Sequence, residues 1–160
     1  MITQASHFVP LKNGDKVHLR QIYKDHNGPI VFFMHGAVEN GRIFYTQSNK
    51  GLAPFLADAG FNCFVADLRG RGLSEPKISK HSSTGQRDSI VEEIPAMLEY
   101  IKDYSKQPIV YFCAHSWGGV LLNSVLARFP TYLDDLKACV YFASKRTIYN
   151  RHPSKYIQAN

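Results

Sequence analysis

The chain of 160 residues contains 19 Lys and Arg and 13 Asp and Glu, which gives a formal net charge of +6. With 44% hydrophobic and 20% charged residues, its composition excludes a disordered, collagen-like or coiled-coil protein. No apolar run approaches the ~20 residues that span a bilayer, and residues 1–10 lack the pattern of a signal peptide, so we expect a globular protein without stable membrane insertion.

The predicted elements begin with a β-hairpin over residues 4–24, because Asn13-Gly14 is a strong turn dipeptide. Four continuous apolar runs follow, and each is typical of a strand buried on both faces of a parallel sheet. These predicted buried strands are residues 29–34, 61–66, 108–114 and 138–143.

Segments with helical spacing of apolar residues lie between these runs, at residues 50–59, 88–104 and 118–129. Pro95 predicts a kink or a later start in the second helix, because proline costs ~3 kcal/mol inside a helix. The alternation of strand and helix predicts an α/β fold, with a mostly parallel sheet, helices on both faces and the hairpin at the N-terminal side.

Residues 113–119, with the sequence Cys-Ala-His-Ser-Trp-Gly-Gly, join the third predicted strand directly to a helix. A serine on such a turn exposes its hydroxyl group at the helix N-terminus, beside free N–H groups and partial positive charge. The crowded turn needs small residues two positions before and after Ser116, and these are Ala114 and Gly118. The pattern is that of a nucleophile elbow, although the tetrapeptide alone fits a helix N-cap serine equally well.

Two further motifs lie at the C-terminal ends of predicted strands. His35-Gly36-Ala37-Val38 follows the first strand, and residues 67–74, Asp-Leu-Arg-Gly-Arg-Gly-Leu-Ser, follow the second. Together with the turn at residues 113–119, they resemble the N-terminal part of an esterase- or lipase-like serine hydrolase with the α/β-hydrolase fold. The resemblance covers residues 1–144.

This resemblance implies that Ser116 is the catalytic nucleophile and that the backbone N–H groups of Ala37 and Trp117 form the oxyanion hole. It also implies that His35 and Gly36 support the oxyanion loop. The resemblance makes Asp67 a turn-stabilising residue rather than a catalytic acid. Neither His35 nor His115 is expected to be the base, since a histidine just before the nucleophile points away from its hydroxyl.

The general base and its acid partner are harder to find. After Ser116 the acidic residues are Asp134 and Asp135, and the histidine is His152. The two aspartates precede a strand whose far end meets Ser116, and a strand of about six residues spans ~20 Å. We therefore expect the chain to be a fragment that lacks the acid, the histidine and the last strands of the core.

Residues 145–160 contain four basic side chains and no acidic one, whereas residues 1–144 have a net charge of +2. We interpret this segment as the start of a lid or cap region and expect no nucleic-acid partner. The alternative is contact with nucleic acid or an anionic membrane, but the charges form no motif or helical stripe.

The cysteines are Cys63, Cys113 and Cys139, each within an apolar run. Their odd number and surroundings predict buried thiols in a reducing compartment, for which we expect the cytoplasm. None has metal-ligand spacing, and the loop at Gly70 and Gly72 lacks a phosphate-binding pattern, so we expect no metal or other cofactor.

The expected substrate is a small molecule with a carboxylic ester or similar acyl group. Acyl transfer and C–C bond hydrolysis are compatible with the same motifs, and a non-catalytic binding protein or an inert fragment is the alternative from another class. An uncovered sheet edge beyond the last strand would also favour association with another chain.

Overall fold

The computed structural model describes residues 1–147, which form six β-strands and four α-helices. The strands are β1 (Thr3–Pro10), β2 (Lys16–Tyr23), β3 (Ile30–Met34), β4 (Asn62–Asp67), β5 (Ile109–His115) and β6 (Ala138–Phe142). The helices are α1 (Leu52–Asp58), α2 (Gln86–Asp88), α3 (Ile94–Ser105) and α4 (Trp117–Arg128). His152, which follows Ser116 in the chain but was not expected to be the base, and most of the basic segment lie outside the described residues.

The six strands form one sheet in the order β1-β2-β4-β3-β5-β6. β1 and β2 form the predicted antiparallel hairpin, and β2 also runs antiparallel to β4. The remaining neighbours, from β4 through β3 and β5 to β6, are parallel. The structure thus confirms the predicted α/β fold, and it brings the C-terminal ends of β3, β4 and β5 to one edge of the sheet.

Helices cover both faces of this sheet and create two apolar clusters. On one face α3 and α4 pack against a cluster that includes Phe32, Phe64 and Phe112. On the other face α1 packs against Val31, Phe33 and other side chains of the alternate strand positions. Because successive side chains of a strand point to opposite faces, the continuous apolar run of β3 supplies both clusters.

The second predicted helix is irregular just before Pro95, but it does not end there. The chain is helical from α2 through a π-helical turn at Ser89–Glu93 into α3. Pro95 lies in the first turn of α3, directly after this π-helical turn, so the regular α-helical hydrogen-bond pattern is interrupted where proline lacks its N–H group. The α-helix therefore starts later than the apolar periodicity alone predicts.

The burial predicted for the fourth apolar run is wrong. β6 forms as expected, but Val140 is 53% exposed and Phe142 is 46% exposed. Cys139 is exposed as well, whereas Cys63 and Cys113 are buried as predicted. The reason is position: β6 is the last strand of the sheet, and no strand pairs with its outer edge among residues 1–147. None of the described helices is long and apolar enough to cross a bilayer.

A buried arginine connects the loop after β4 to the helical segment before α3. The side chain of Arg69 is only 5% exposed and lies 2.9 Å from both Asp15 and Glu92. The contact of its Nε with Asp15 has the geometry of an ion pair rather than of a hydrogen bond. The backbone N–H of Arg69 donates to Glu93 at 2.7 Å, and burial raises the pKa of Glu93 against the opposing charge of Arg69.

We expect Arg69→Ala to lower the free energy of unfolding by about 3–5 kcal/mol, because it leaves Glu93 buried without its cation. Urea denaturation at neutral pH measures the loss. Arg87→Ala removes the same charge from an exposed position in α2 and serves as the control. Equal effects of the two substitutions would show that the ion-pair network contributes no special stability.

Candidate active site

Ser116 lies at the sharp turn between β5 and α4. Its backbone has φ 50° and ψ −121°, a left-handed conformation that a residue with a side chain rarely adopts. Its N–H donates to the carbonyl of Phe142 at 2.8 Å, which ties the turn to the end of β6. Such strained residues are concentrated at functional sites, where the surrounding structure holds them in place.

The elbow requires a glycine because α4 begins against the end of β3. A Cβ atom at Gly118 would lie 2.6 Å from the carbonyl oxygens of both Met34 and His35. Ala114, the other small residue of the motif, is completely buried. The motif spacing thus reflects a close backbone approach that places Ser116 beside the loop following β3.

That loop contains the predicted oxyanion residues. A Cβ at Gly36 would lie 3.2 Å from Cβ of Ser116, so the loop and the elbow are in direct contact. Within residues 1–147, the N–H groups of Ala37 and Trp117 donate to no protein acceptor. Both residues line one cleft. The structure therefore brings the five predicted site residues close together at the C-terminal ends of β3 and β5, and their catalytic roles stay predictions.

His35 supports this loop through both of its ring nitrogens. Its Nε2 accepts the N–H of Leu68 at 3.2 Å, so its Nδ1 carries the proton and donates to the carbonyl of Gly36 at 2.7 Å. Burial lowers the pKa of His35, which keeps the ring neutral. With both nitrogens occupied, His35 is a structural link between the loops after β3 and β4.

Glu39 is a site residue that the motifs did not reveal. Its Oε2 accepts the N–H of Gly36 at 2.8 Å and lies 2.8 Å from Nδ1 of His115. Burial opposes ionisation of Glu39, but the hydrogen bonds from His115 and Gly36 outweigh it and hold its pKa below the ordinary value. The signal in the sequence is only a carboxylate three residues after Gly36.

Asp67 fixes the loops on the other side of the site. Its carboxylate accepts the N–H groups of Gly41 at 2.7 Å and Leu73 at 3.0 Å, and it lies 2.8 Å from Nδ1 of His18. Nε2 of His18 lies 3.0 Å from Oγ of Ser6, which completes a Ser–His–Asp chain across β1, β2 and β4. Asp67 thus acts as the predicted turn-stabilising residue and lies away from the elbow.

Cys113 is close to Ser116 in sequence but is unsuited to act as a nucleophile. Burial raises the pKa of its thiol to about 12, so the reactive thiolate is not populated near neutral pH. Among residues 1–147, no group of three His, Cys, Asp or Glu side chains could hold a metal ion.

The aspartates that follow Ser116 in the chain lie at the opposite end of the sheet, as predicted. Asp135 precedes β6 and lines a small cavity with Ile109, the first residue of β5. β5 and β6 are parallel, so the length of a strand separates Asp134 and Asp135 from Ser116. Five residues of strand span about 17 Å, far beyond a hydrogen bond.

We expect Gly118→Ala to cost about 1–3 kcal/mol of stability, because its Cβ would overlap two backbone carbonyl groups. Gly85→Ala is the matched control, since a Cβ at Gly85 meets no atom within 4 Å. Thermal and urea unfolding compare the two variants. An unchanged unfolding free energy for Gly118→Ala would contradict the close approach of α4 to β3.

The pKa of Asp67 predicts a defined dependence of stability on pH. Burial raises this pKa, but the hydrogen bonds from His18, Gly41 and Leu73 more than offset it, so the folded value lies below 3.8. A depressed pKa stabilises the fold above the unfolded value, and the contribution is lost as pH falls through the folded value.

Asp67→Asn is therefore expected to cost about 3 kcal/mol at pH 7, and the difference from the unsubstituted protein should shrink below pH 4. Urea titrations at several pH values measure it. Asp58→Asn, at a side chain 65% exposed, is the control. A difference that stays constant down to pH 3 would show that the charge of Asp67 does not matter.

Comparison with known proteins identifies the family of this chain. A family model described as the alpha/beta hydrolase fold matches residues 29–144. Lipase 3 of Drosophila melanogaster is 26% identical over 121 residues, which cover 70% of this chain and 30% of that lipase. The lysosomal acid lipase/cholesteryl ester hydrolase of Homo sapiens is 26% identical over 122 residues, which cover 72% of this chain and 30% of that enzyme. The chain thus spans about 30% of the length of these curated relatives.

Solved structures show the same fold. A thioesterase domain from the curacin biosynthetic pathway has a TM-score of 0.72 at 18% identity, covering 98% of this chain and 50% of that chain. Esterase RhEst1 from Rhodococcus sp. ECU1013 has a TM-score of 0.68 at 18% identity, covering 90% of this chain and 47% of the esterase. The resemblance inferred from the three motifs is confirmed: the chain belongs to the alpha/beta hydrolase fold family.

Proposed function

We propose that the protein is the first part of a serine hydrolase and that Ser116 is its nucleophile. The Ser116 oxygen attacks the carbonyl carbon of an ester, the alcohol leaves with a proton, and water then hydrolyses the acyl-enzyme. The N–H groups of Ala37 and Trp117 bind the negative oxygen of the tetrahedral intermediate, and each donor is worth about 3–4 kcal/mol of barrier.

The observation that carries this proposal is the left-handed backbone of Ser116 between β5 and α4. A plain N-cap serine has an extended backbone, and its side chain accepts a hydrogen bond from the first helical turn. Ser116 has neither feature, because its side chain forms no capping hydrogen bond. The strained turn instead supports a hydroxyl group that is held ready for reaction.

A serine at the elbow favours ester or thioester substrates. A carboxylate at position 116 would favour epoxide or haloalkane chemistry, in which the nucleophile displaces a carbon substituent. The relatives named as lipases support a carboxylic ester as the substrate. The proposed reaction is therefore the hydrolysis of an ester. Acyl transfer and C–C bond hydrolysis remain alternatives on the same nucleophile.

The proposal includes an acid and a histidine outside residues 1–147. Among the described histidines, His35 has both ring nitrogens occupied, and His18 is bound to Asp67 and Ser6. His115 is held by Glu39 through Nδ1 and directly precedes the nucleophile. We therefore expect the 160-residue chain alone to be inactive, and the non-catalytic alternative applies if no longer form is active.

Two further expectations accompany this function. The three cysteines are free thiols, which supports a reducing compartment such as the cytoplasm. The exposed strand β6 supports association with another chain or chain segment through its outer edge.

A fluorophosphonate probe, which reacts with activated serines, tests the nucleophile. The native polypeptide that carries this sequence, isolated from its source, and the 160-residue chain are labelled in parallel, and the modified residue is found by mass spectrometry. We expect the native polypeptide to be labelled at Ser116, and the 160-residue chain to react at least about a hundredfold more slowly when the base is missing. The mass of the native polypeptide shows whether it is the longer form.

Ser116→Ala and Ser6→Ala are the matched variants for this experiment. Ser116→Ala should abolish labelling, whereas Ser6→Ala should leave it unchanged, although Ser6 also contacts a histidine. A native polypeptide that is not labelled at Ser116 would overturn the serine-hydrolase proposal. Fast labelling of the 160-residue chain would instead overturn the proposal that its base lies elsewhere.

A further inference from the structure

A cleft of about 430 Å³ opens beside the elbow, and it has an uneven balance of charge. Ala37 and Trp117 contribute to its lining, together with the loop of residues 68–71 and much of the segment 76–86. Ala37 and Trp117 are also the two oxyanion donors of the proposed function. A substrate held by them would therefore have part of its structure inside this cleft.

The basic residues that line the cleft, Arg69, Arg71 and Lys77, outnumber its two acidic residues. Asp15 and Glu93 line it, and both are paired with the buried Arg69, at 2.9 Å and 3.9 Å. Arg71 and Lys77 also line the cleft. Lys77 donates to the carbonyl oxygens of Gly72 and Ser74, which hold the ammonium group but carry no charge to cancel it. The cleft therefore retains net positive charge.

Arg71 is the exceptional residue of this set. Within residues 1–147 its guanidinium group forms no ion pair and no hydrogen bond, although the residue is half-buried. The sequence contains no Asp or Glu after Asp135, so residues 148–160 offer no carboxylate side chain to it. The five N–H donors of the Arg71 guanidinium group are therefore available to a ligand in the cleft.

The backbone on both sides of Arg71 is fixed. Before it, Arg69 is anchored by its ion pairs and by its N–H bond to Glu93. After it, the N–H of Leu73 donates to Asp67 at 3.0 Å. Arg71 itself donates its N–H to the carbonyl of Leu68 at 2.9 Å. A cation on such a rigid loop loses little conformational entropy when it binds a ligand.

Arg71 also lies close to the reacting end of the site. Burial is the main cause of the lowered pKa of His35, and the positive charge of Arg71 lowers it further. His35 holds the carbonyl of Gly36 in the oxyanion loop. The free guanidinium group is thus within electrostatic range of the loop that would bind the ester carbonyl.

We propose that Arg71 is a specificity residue that binds an anionic oxygen group, a carboxylate or a phosphate, on the ester substrate. This inference rests on the proposed function of Ser116. The planar guanidinium group can donate two parallel hydrogen bonds to either anion, and Lys77 adds a second positive charge. The preferred substrate class is therefore a small ester with one negatively charged end rather than a neutral ester.

The fluorescence of Trp117 can report binding, because it is the single tryptophan of the chain and lines the cleft. The Ser116→Ala form of the 160-residue chain is titrated with three esters of similar size, so that no turnover interferes. Methyl hydrogen succinate carries a carboxylate, 2-acetoxyethyl phosphate carries a phosphate, and dimethyl succinate is neutral. At low ionic strength we expect the anionic esters to bind about ten- to a hundredfold more tightly than the neutral one.

Three variants identify the residue responsible. Arg71→Gln should remove the preference for anionic esters, and Arg71→Lys should restore part of it through its charge alone. Arg87→Gln, which removes an exposed charge outside this cleft, should leave the preference unchanged. Urea unfolding confirms that Arg71→Gln is folded, which is expected because the guanidinium group has no protein partner within residues 1–147.

The outcomes separate this inference from the proposed function. Equal affinity for neutral and anionic esters, no saturable binding of either anion, or an unchanged preference in Arg71→Gln would overturn the role of Arg71. Labelling of the native polypeptide at Ser116 could still succeed in those cases. Conversely, anion binding lost in Arg71→Gln but without labelling of Ser116 would support the anion site and reject the hydrolase. The ester that binds more tightly shows whether the site is built for carboxylate or phosphate.

Discussion

The buried carboxylate of Asp67 is the interaction on which the geometry of this site depends. It is 2% exposed and accepts N–H groups from Gly41, in the chain that follows β3, and from Leu73, in the loop that carries Arg71. A carboxylate that receives several donors stays ionised even where water is excluded. The two loops are therefore fixed relative to one another by a single charged group at the end of β4.

The position of Gly72 shows how tightly this carboxylate is enclosed. A Cβ at Gly72 would overlap the Asp67 carboxyl group, and the residue also has φ +49°. Glycine is thus required here both by the space and by the backbone conformation. The close approach of the Asp67 carboxyl group thus explains why residue 72, in the motif of residues 67–74, is a glycine.

Sequence patterns predicted the fold because local periodicity and motif order carry most of its information. The residue types of these segments indicate their own burial and crowding, as in the apolar runs of β3, β4 and β5 and the small residues around Ser116. The burial of β6 could not be predicted in this way, since its apolar composition does not say whether a neighbour covers it. Contacts between residues distant in sequence could not be predicted either, such as that between Glu39 and His115, which are 76 residues apart.

The loop after β4 contains two arginines, of which one is paired with carboxylates and the other has no protein partner among residues 1–147. The charge of Arg69 is matched by Asp15, Glu92 and Glu93, and its contribution is to hold the loop on the helical segment before α3. Arg71, two residues later, has no such partner in the described part of the chain. A paired arginine contributes to stability, whereas the N–H donors of Arg71 have no protein partner among residues 1–147 and are available to a ligand.

This difference links the fold to the chemistry of the cleft. A lipase-like relative need not share the substrate of this protein, because in the proposed function Ser116 and the loop after β3 contact only the ester group that all such substrates contain. Discrimination between esters has to come from the groups that surround the rest of the molecule. In the described part of this cleft the free charges are positive, and a site with uncompensated positive charge disfavours a neutral ligand that leaves its donors unsatisfied. In the proposed function, the serine at position 116 thus determines the reaction class, and the charge of the loop after β4 selects among the substrates.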